Sequence, residues 1–285
     1  MTTASSDVAA AVVSAAPPPR PGRLEERLGL WLLGALAPPL RRVEQPPPPP
    51  ALAPFEHGAL PRPAAGPLAA TWYPAGAAAR GAVLLLPPWI EWGQAYFHRH
   101  GRVEALRQAG LHVLTVDFGG FGTSDRAPGF ADRDVAAALA GLRARADGLP
   151  CHLWGVSAGG YWGHLHLSGG DGVAGAFFED VSPHLIEWAA RVTPALWPAY
   201  AVYRRLLPRA YRFLDVRRHA PFLRARAVAY ASGELDVTIP PADTAEVARL
   251  AGAPCLLVPG ATHLQAIKLA PDAVIGLALR TFAAA

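Results

Sequence analysis

Cysteine is scarce in this chain. Two in 285 residues exclude a disulfide scaffold and any zinc site built from four thiolates. Lysine is nearly missing, since Lys268 is the one lysine among 26 basic residues. No apolar run reaches the roughly 18–20 residues that a bilayer crossing requires. No block of five or six like charges occurs either. The basic residues outnumber the 22 acidic ones but are scattered, which gives no support to a nucleic-acid partner. What the chain has instead is alanine, glycine, proline and arginine in quantity, a pattern of GC-biased coding more than of selection for an anionic partner. Hydrophobic residues make up 52% and charged residues 17%, so the chain as a whole is not disordered. Its length suits one large α/β domain or two small ones with a well-buried core.

Two unlike parts follow one another. Residues 1–54 are rich in Ala and Pro, with Pro17-Pro18-Pro19 and the run Pro46 to Pro50. Such a segment lacks backbone donors and favours extended polyproline II, so it reads as a stiff tether. One island interrupts it. Leu24, Leu28, Trp31, Leu32, Ala35 and Leu36 repeat at helical spacing until Pro38 stops the helix. The leading expectation is a short helix docked on the main domain. A second reading is a peripheral membrane contact, because Arg20, Arg23, Arg41 and Arg42 flank the apolar stretch. A third is a secretory signal, with Ala35-Leu36-Ala37 as its small-x-small site, against which stand Glu25, Glu26 and Pro38.

From residue 55 to 285, short apolar runs alternate with helix-length stretches. The runs 82–86, 112–118, 152–156, 173–178, 227–231 and 254–258 read as buried strands. Helices are expected at about 95–109, 131–146, 158–168, 241–251 and 264–283. Strands apolar on both faces and separated by helices imply an α/β fold, a mostly parallel sheet covered on both sides. Residues 182–223 are too long for a crossover and are rich in Trp, Tyr, Pro and Arg, so they are expected to form a cap over one edge.

The chemistry concentrates at three strand ends. His152 to Gly160 reads as a strand running into Gly155-x-Ser157-x-Gly159 and then a helix. A serine on so sharp a turn adopts a strained backbone, and the two glycines remove side chains that would clash. The turn lifts Oγ into the open beside a helix N-terminus whose unpaired N–H groups and dipole point at the same spot. A hydroxyl is a poor nucleophile without a base, and the base needs an orienting carboxylate. Asp236 follows one predicted strand and His263 follows the last, in the order Ser, Asp, His. All three lie where parallel-sheet sites gather, at the strands' C-terminal ends.

With Asp117-x-x-Gly120-x-Gly122-x-Ser124, Gly233-x-x-Asp236-x-x-x-Pro240 and Gly260-x-x-His263 added, residues 60–285 resemble the α/β-hydrolase superfamily. The resemblance implies an α/β-hydrolase fold with a helical cap, Ser157 as nucleophile, His263 as general base and then acid, and Asp236 as the orienter. Asp180 is the rival acid, because some members of the fold supply it from the preceding strand. The oxyanion hole implied by the fold would use the N–H of Ala158 and one from the loop after Leu86. That loop departs from the usual His-Gly pair and reads Pro87-Pro88-Trp89-Ile90, which leaves Trp89 as the first residue able to donate. The same loop, with Gly159-Gly160, also resembles polyhydroxyalkanoate synthases, although those use a cysteine where this chain has Ser157.

Other residues carry plainer readings. Asp117 to Ser124 lacks the Gly-Lys-Ser/Thr ending of a phosphate loop and is expected to be a tight turn near the site. His164 and His166, like His98 and His100, stand two apart and so on different helix faces; no metal site and no cofactor are expected. In the fold that the resemblance implies, Cys151 and Cys255 fall on strands about three ladder spacings apart, roughly 14 Å, and are expected to be free, buried thiols, which fits a reducing, cytoplasmic compartment. In the cap, Trp188, Trp197 and Tyr200 would line a substrate site, with Trp89 and Trp92 facing them from the loop below. A small-molecule substrate with an apolar acyl or alkyl group would gain from burial there. The interleaved cap arginines are expected to be a solvated face. The leading functional expectation is a serine hydrolase cutting a carboxylic ester through an acyl-enzyme. Acyl transfer on the same fold and a non-catalytic binding module are the alternatives.

Overall fold

The computed structural model describes residues 16–36, 46–63, 65–76, 78–89, 93–126 and 129–285. Eight strands form one sheet: β1 (Glu56–Arg62), β2 (Ala65–Tyr73), β3 (Gly81–Leu86), β4 (Leu111–Val116), β5 (Cys151–Val156), β6 (Val173–Glu179), β7 (Ala225–Gly233) and β8 (Cys255–Val258). Their spatial order is β1-β2-β4-β3-β5-β6-β7-β8. β1 and β2 pair antiparallel, as do β2 and β4, and every later pairing is parallel. The helices are α1 (Arg23–Leu36), α2 (Arg102–Gln108), α3 (Asp132–Ala146), α4 (Ala158–Gly169), α5 (Leu185–Val192), α6 (Trp197–Leu206), α7 (Pro208–Phe213), α8 (Pro241–Leu250), α9 (Ala266–Leu269) and α10 (Pro271–Ala283).

The fully apolar runs became the central strands because both faces are covered. On one side Val135, Leu139, Leu142, Tyr161 and Leu165 of α3 and α4 pack on Leu84, Leu114 and Leu153. On the other, Val103 and Leu106 of α2 and Val274, Ala278 and Phe282 of α10 pack on Val83, Val113 and Trp154. β3 lies between β4 and β5, so the chain leaves this strand in opposite directions on its two sides. That reversal opens a crevice at the strands' C-terminal ends.

Sequence reasoning missed β1 and β2. β1 holds Gly58 and Pro61 and leaves most of its side chains exposed, so it carries no apolar pattern. It is an edge strand, where proline is tolerated, and its backbone pairing with β2 defines it. Two expected helices are broken. The 95–109 stretch begins as a 3₁₀ segment (Gly93–His98) and restarts at α2, because His100 and Gly101 both adopt positive φ. The 264–283 stretch divides at Pro271 into α9 and α10. The Nε2 of His98 lies 2.7 Å from the Tyr73 hydroxyl, and burial pushes its pKa down to about 4.

Between β6 and β7 the chain folds into α5, α6, α7 and three 3₁₀ turns. Their inner residues Tyr203, Leu207, Ala210 and Phe213 are buried in the same apolar cluster as α3 and α4. α1 rests on this insertion in an unexpected orientation. Its polar side faces inward. Glu26 is buried and accepts from the Phe130 N–H and from Arg20, with Arg133 on its other oxygen. Glu25 accepts the backbone N–H groups of Arg209 and Ala210 at the start of α7, both at 2.9 Å. A Cβ at Gly29 would stand 2.5 Å from the Tyr203 hydroxyl, so the helices approach closely there. Leu24, Leu28 and Trp31 of the apolar stripe face solvent, 73%, 46% and 69% exposed. Among the described contacts, α1 is held by the two carboxylates, by the close approach at Gly29 and by Leu30, which packs on the core. Ala37, Arg41 and Arg42 lie outside the described residues.

Both cysteines are free, on strands separated by β6 and β7. The expectation of full burial fails for both: Cys151 is half-buried, and Cys255 is exposed because β8 is the open edge of the sheet.

Candidate active site

Ser157 follows β5 directly and opens α4, with φ 51° and ψ −111°. A left-handed φ is costly for a residue with a Cβ, and the surroundings hold it. Its N–H donates to the Glu179 carbonyl at 2.8 Å, and its own carbonyl accepts from the Tyr161 N–H at 2.9 Å. The neighbouring glycines are obligatory on space alone. A Cβ at Gly155 would lie 2.7 Å from the Gly160 backbone, and one at Gly159 would lie 2.1 Å from the Leu86 carbonyl oxygen. The elbow is thus wedged between β3 and its own helix. Ala158 begins that helix, where the first N–H groups have no intrahelical acceptor.

The three strand-end residues come together. The Ser157 hydroxyl lies 3.3 Å from His263 Nε2, and His263 Nδ1 lies 2.7 Å from Asp236 Oδ2. With the ring proton on Nδ1 and directed at Asp236, Nε2 is free to accept from the serine. Asp236 is buried, and its second oxygen accepts the N–H groups of Thr238 (2.8 Å) and Ile239 (2.9 Å). Three donors converge on one carboxylate and fix its orientation. The two loops are stitched together: Glu234 N–H donates to the Val258 carbonyl, Leu235 N–H to the Ala261 carbonyl, and Gly260 N–H to Glu234 Oε2.

Asp180, the rival acid, stands one step back. It is fully buried, has a φ of 49°, and sits 3.9 Å from His263 Nδ1. Its oxygens are engaged by the backbone N–H groups of Gly233 (3.2 Å) and Leu264 (2.9 Å), so it ties the acid loop to the histidine loop. Burial pushes its pKa up to about 6, opposed by the imidazole and reinforced by Glu179. Asp180, Asp236 and His263 are also the kind of cluster that binds metal ions, with ligand atoms within 4.8 Å of one another. The 2.7 Å between Asp236 and His263 argues against that reading. Ligands bound at about 2.1 Å in a tetrahedron stand roughly 3.4 Å apart, so this pair shares a proton instead.

Two buried arrangements escaped sequence reasoning. Asp117 accepts from Gln94 N–H (2.8 Å) and Gln94 Nε2 (3.2 Å), while Gln94 Oε1 accepts from Thr71 (2.7 Å) and Thr115 (3.0 Å). A Cβ at Gly93 or Gly122 would meet the Asp117 carboxylate at about 2 Å. The network anchors the far end of the loop that carries Trp89. Below the elbow, Glu179 takes the Arg102 guanidinium at 2.9 Å and the Trp154 indole N–H at 2.7 Å, all three buried. The Phe178-Glu179-Asp180 end of an apolar strand was the available signal for the second.

The remaining candidates are spread out. Trp89 is half-buried and edge-on to Phe121 at 6.1 Å. Trp92 lies outside the described residues. Trp188 is half-buried on α5. The Tyr200 hydroxyl is 2.9 Å from that of Tyr211, which donates to Glu187 at 2.8 Å. Trp197 is 51% exposed and edge-on to Tyr200. His164 is a core residue bonded to the Gly160 carbonyl and the Tyr230 hydroxyl. A cleft of about 360 Å³ lined by Arg143, Pro150, Cys151, Val173 and Arg226 opens at the opposite, N-terminal ends of the strands.

This arrangement of strands and helices recurs in solved structures. An esterase from Pyrococcus furiosus is similar with a TM-score of 0.68 at 17% identity, over 85% of this chain and 97% of that one. A carboxyl esterase from the mycorrhizal fungus Tuber melanosporum is similar with a TM-score of 0.61 at 15% identity, over 90% of this chain and 97% of that one. An acylaminoacyl peptidase from Pyrococcus horikoshii gives 0.61 at 12% identity, over 79% of this chain and 40% of that one. No protein-family model matches the sequence, and no curated protein matches it. The chain has the α/β-hydrolase fold.

Proposed function

We propose that this protein is a serine hydrolase that cleaves a carboxylic ester through an acyl-enzyme. The observation that carries the reading is the continuous path from Ser157 Oγ through His263 to Asp236, at 3.3 and 2.7 Å, with the serine on a strained elbow at the start of α4. His263 Nε2 takes the hydroxyl proton as Oγ bonds to the ester carbonyl carbon, and Asp236 stabilises the imidazolium that forms. The N–H groups of Ala158 and Trp89 hold the oxyanion of the tetrahedral intermediate. Its collapse breaks the carbon–oxygen bond, and the departing alkoxide takes the proton from His263. Water then loses a proton to the same nitrogen as it adds to the acyl carbon, and collapse of this second intermediate breaks the bond to Oγ, which takes the proton back from His263 and leaves the carboxylic acid and free Ser157.

Esterases are among the solved structures of the same fold and support a carboxylic ester as the bond cut. The half-buried Trp89, Trp188 and Tyr200 favour an apolar acyl or alkyl group on the substrate. A fluorophosphonate probe tests the reaction class. Labelling is expected at Ser157, absent in Ser157→Ala and nearly absent in His263→Ala; labelling that survives the serine substitution refutes the assignment. Turnover of p-nitrophenyl esters is expected to favour eight-carbon over two-carbon acyl chains, and the reverse preference removes the apolar-site argument.

A further inference from the structure

The outward face of α1 is the feature that neither the fold nor the reaction explains. An amphipathic helix ordinarily buries its apolar stripe. Here Leu24, Leu28 and Trp31, one turn apart on one face, stand in solvent while Glu25 and Glu26 are turned inward. The neighbouring cap adds to the exposed apolar surface. Across the Gly29–Tyr203 contact, α6 shows Val202 and Leu206, again one turn apart. Of the eleven large apolar side chains exposed among the described residues, seven lie on α1 or in the cap. Concentration of this kind marks an interaction site.

The charge around this surface is of one sign. Arg23 and Arg27 on α1, Arg204 and Arg205 on α6, and Arg209 and Arg212 on α7 are all exposed. The carboxylates of the same helices, Glu25 and Glu26, are engaged inward and do not offset them.

We infer that α1 and the adjoining cap surface dock on an anionic lipid surface, with Leu24, Leu28 and Trp31 entering the headgroup boundary and the exposed arginines meeting lipid phosphates. An apolar stripe bordered by arginines, with a tryptophan near its end, is what an interfacial helix requires. A second copy of the chain is a poorer occupant. A two-fold contact over this surface would set the arginines of one copy against those of the other. The inference stands apart from the proposed reaction, since nothing in it requires Ser157.

Co-sedimentation of the full-length Ser157→Ala protein with vesicles tests it without any turnover. Vesicles of phosphatidylcholine plus phosphatidylglycerol at low salt are expected to bind at least about tenfold more protein than phosphatidylcholine alone. Leu24→Ser/Leu28→Ser/Trp31→Ser is expected to reduce binding by about tenfold or more. Arg23→Ser/Arg27→Ser, which leaves the stripe whole, is expected to cost about fivefold per arginine on anionic vesicles only. Equal binding to both vesicle types, no binding to either, or an unchanged affinity in the triple variant overturns the inference. Self-association in the ultracentrifuge that the triple substitution abolishes overturns it too, by giving the stripe to a second copy. Because the protein tested lacks the nucleophile, failure to bind leaves the hydrolase reading intact, and failure of the fluorophosphonate experiment leaves the docking intact.

Discussion

α4 and α1 are built into the molecule in opposite ways. α4 buries nearly its whole length, and at its half-buried start Ser157 is clamped by Gly155, Gly159 and the backbone of β3. Nothing but glycine fits at those two positions, so the elbow's place is set by backbone contacts that a side chain would break. α1 buries carboxylates and exposes leucines. Its hold on the cap rests on the N–H groups of Arg209 and Ala210 donated to Glu25, and its hold on the start of α3 on ion pairs of Glu26 with half-exposed partners, which are individually weaker and more tolerant. The contrast separates a region where sterics dictate geometry from one where charge chooses which face is covered.

The largest effect expected is at the clamped end. Ser157→Ala or His263→Ala should lower ester turnover by about 10⁴-fold while leaving the melting temperature unchanged. A His263→Ala enzyme within tenfold of the native rate would break the comparison outright. Asp236→Asn is expected to cost about 10³-fold by removing the acceptor that sets the imidazole tautomer, and Asp180→Asn only about tenfold. The opposite ranking would move the acid to Asp180. Gly159→Ala should destabilise the fold by about 3 kcal/mol in denaturant titration, because its Cβ has to displace the Leu86 carbonyl.

A smaller, pH-dependent effect sharpens the role of Asp180. Its folded pKa of about 6 lies above the ordinary 3.8. Between those values the folded protein holds a proton that the unfolded chain releases, so this group's contribution falls as pH rises from 4 to 6 and is level above. Asp180→Asn lacks that fall. The stability gap between native and variant is therefore expected to narrow by on the order of 2 kcal/mol from pH 4 to pH 7, as read by denaturant midpoints at each pH. A widening gap would contradict the burial argument. The smallest change belongs to α1: Glu26→Gln should cost about 1–2 kcal/mol, and turnover of a short soluble ester should stay as it was. Loss of that turnover would show that the α1 contacts reach the elbow.

The central strands were readable because they are apolar on both faces and follow one another with helices between. β1 and β2 were not, because Gly58, Pro61, Gly66 and Pro67 carry no apolar alternation and the two strands exist through pairing with each other and with β4. The elbow, the acid loop and the histidine loop each announced themselves through glycine placed beside a polar residue at a strand end. The Arg102–Glu179–Trp154 and Asp117–Gln94 networks did not, since their members come from segments far apart in the chain and no local spacing links them. The same holds for the choice between two acids. Asp180 and Asp236 each follow a strand, and only the loop geometry sets one 2.7 Å and the other 3.9 Å from the imidazole.

Local rules therefore settled the order of elements, the strained serine turn and the residues available at the strand ends, because strand burial and glycine clearance act over a few residues at a time. Which carboxylate touches His263, and which face of α1 meets the cap, was decided only when distant segments packed. Direction and distance between side chains depend on the register of β7 against β8 and on the long-range bonds from Arg209 and Ala210 to Glu25 and from Arg133 to Glu26, and neither is encoded in any single stretch of chain.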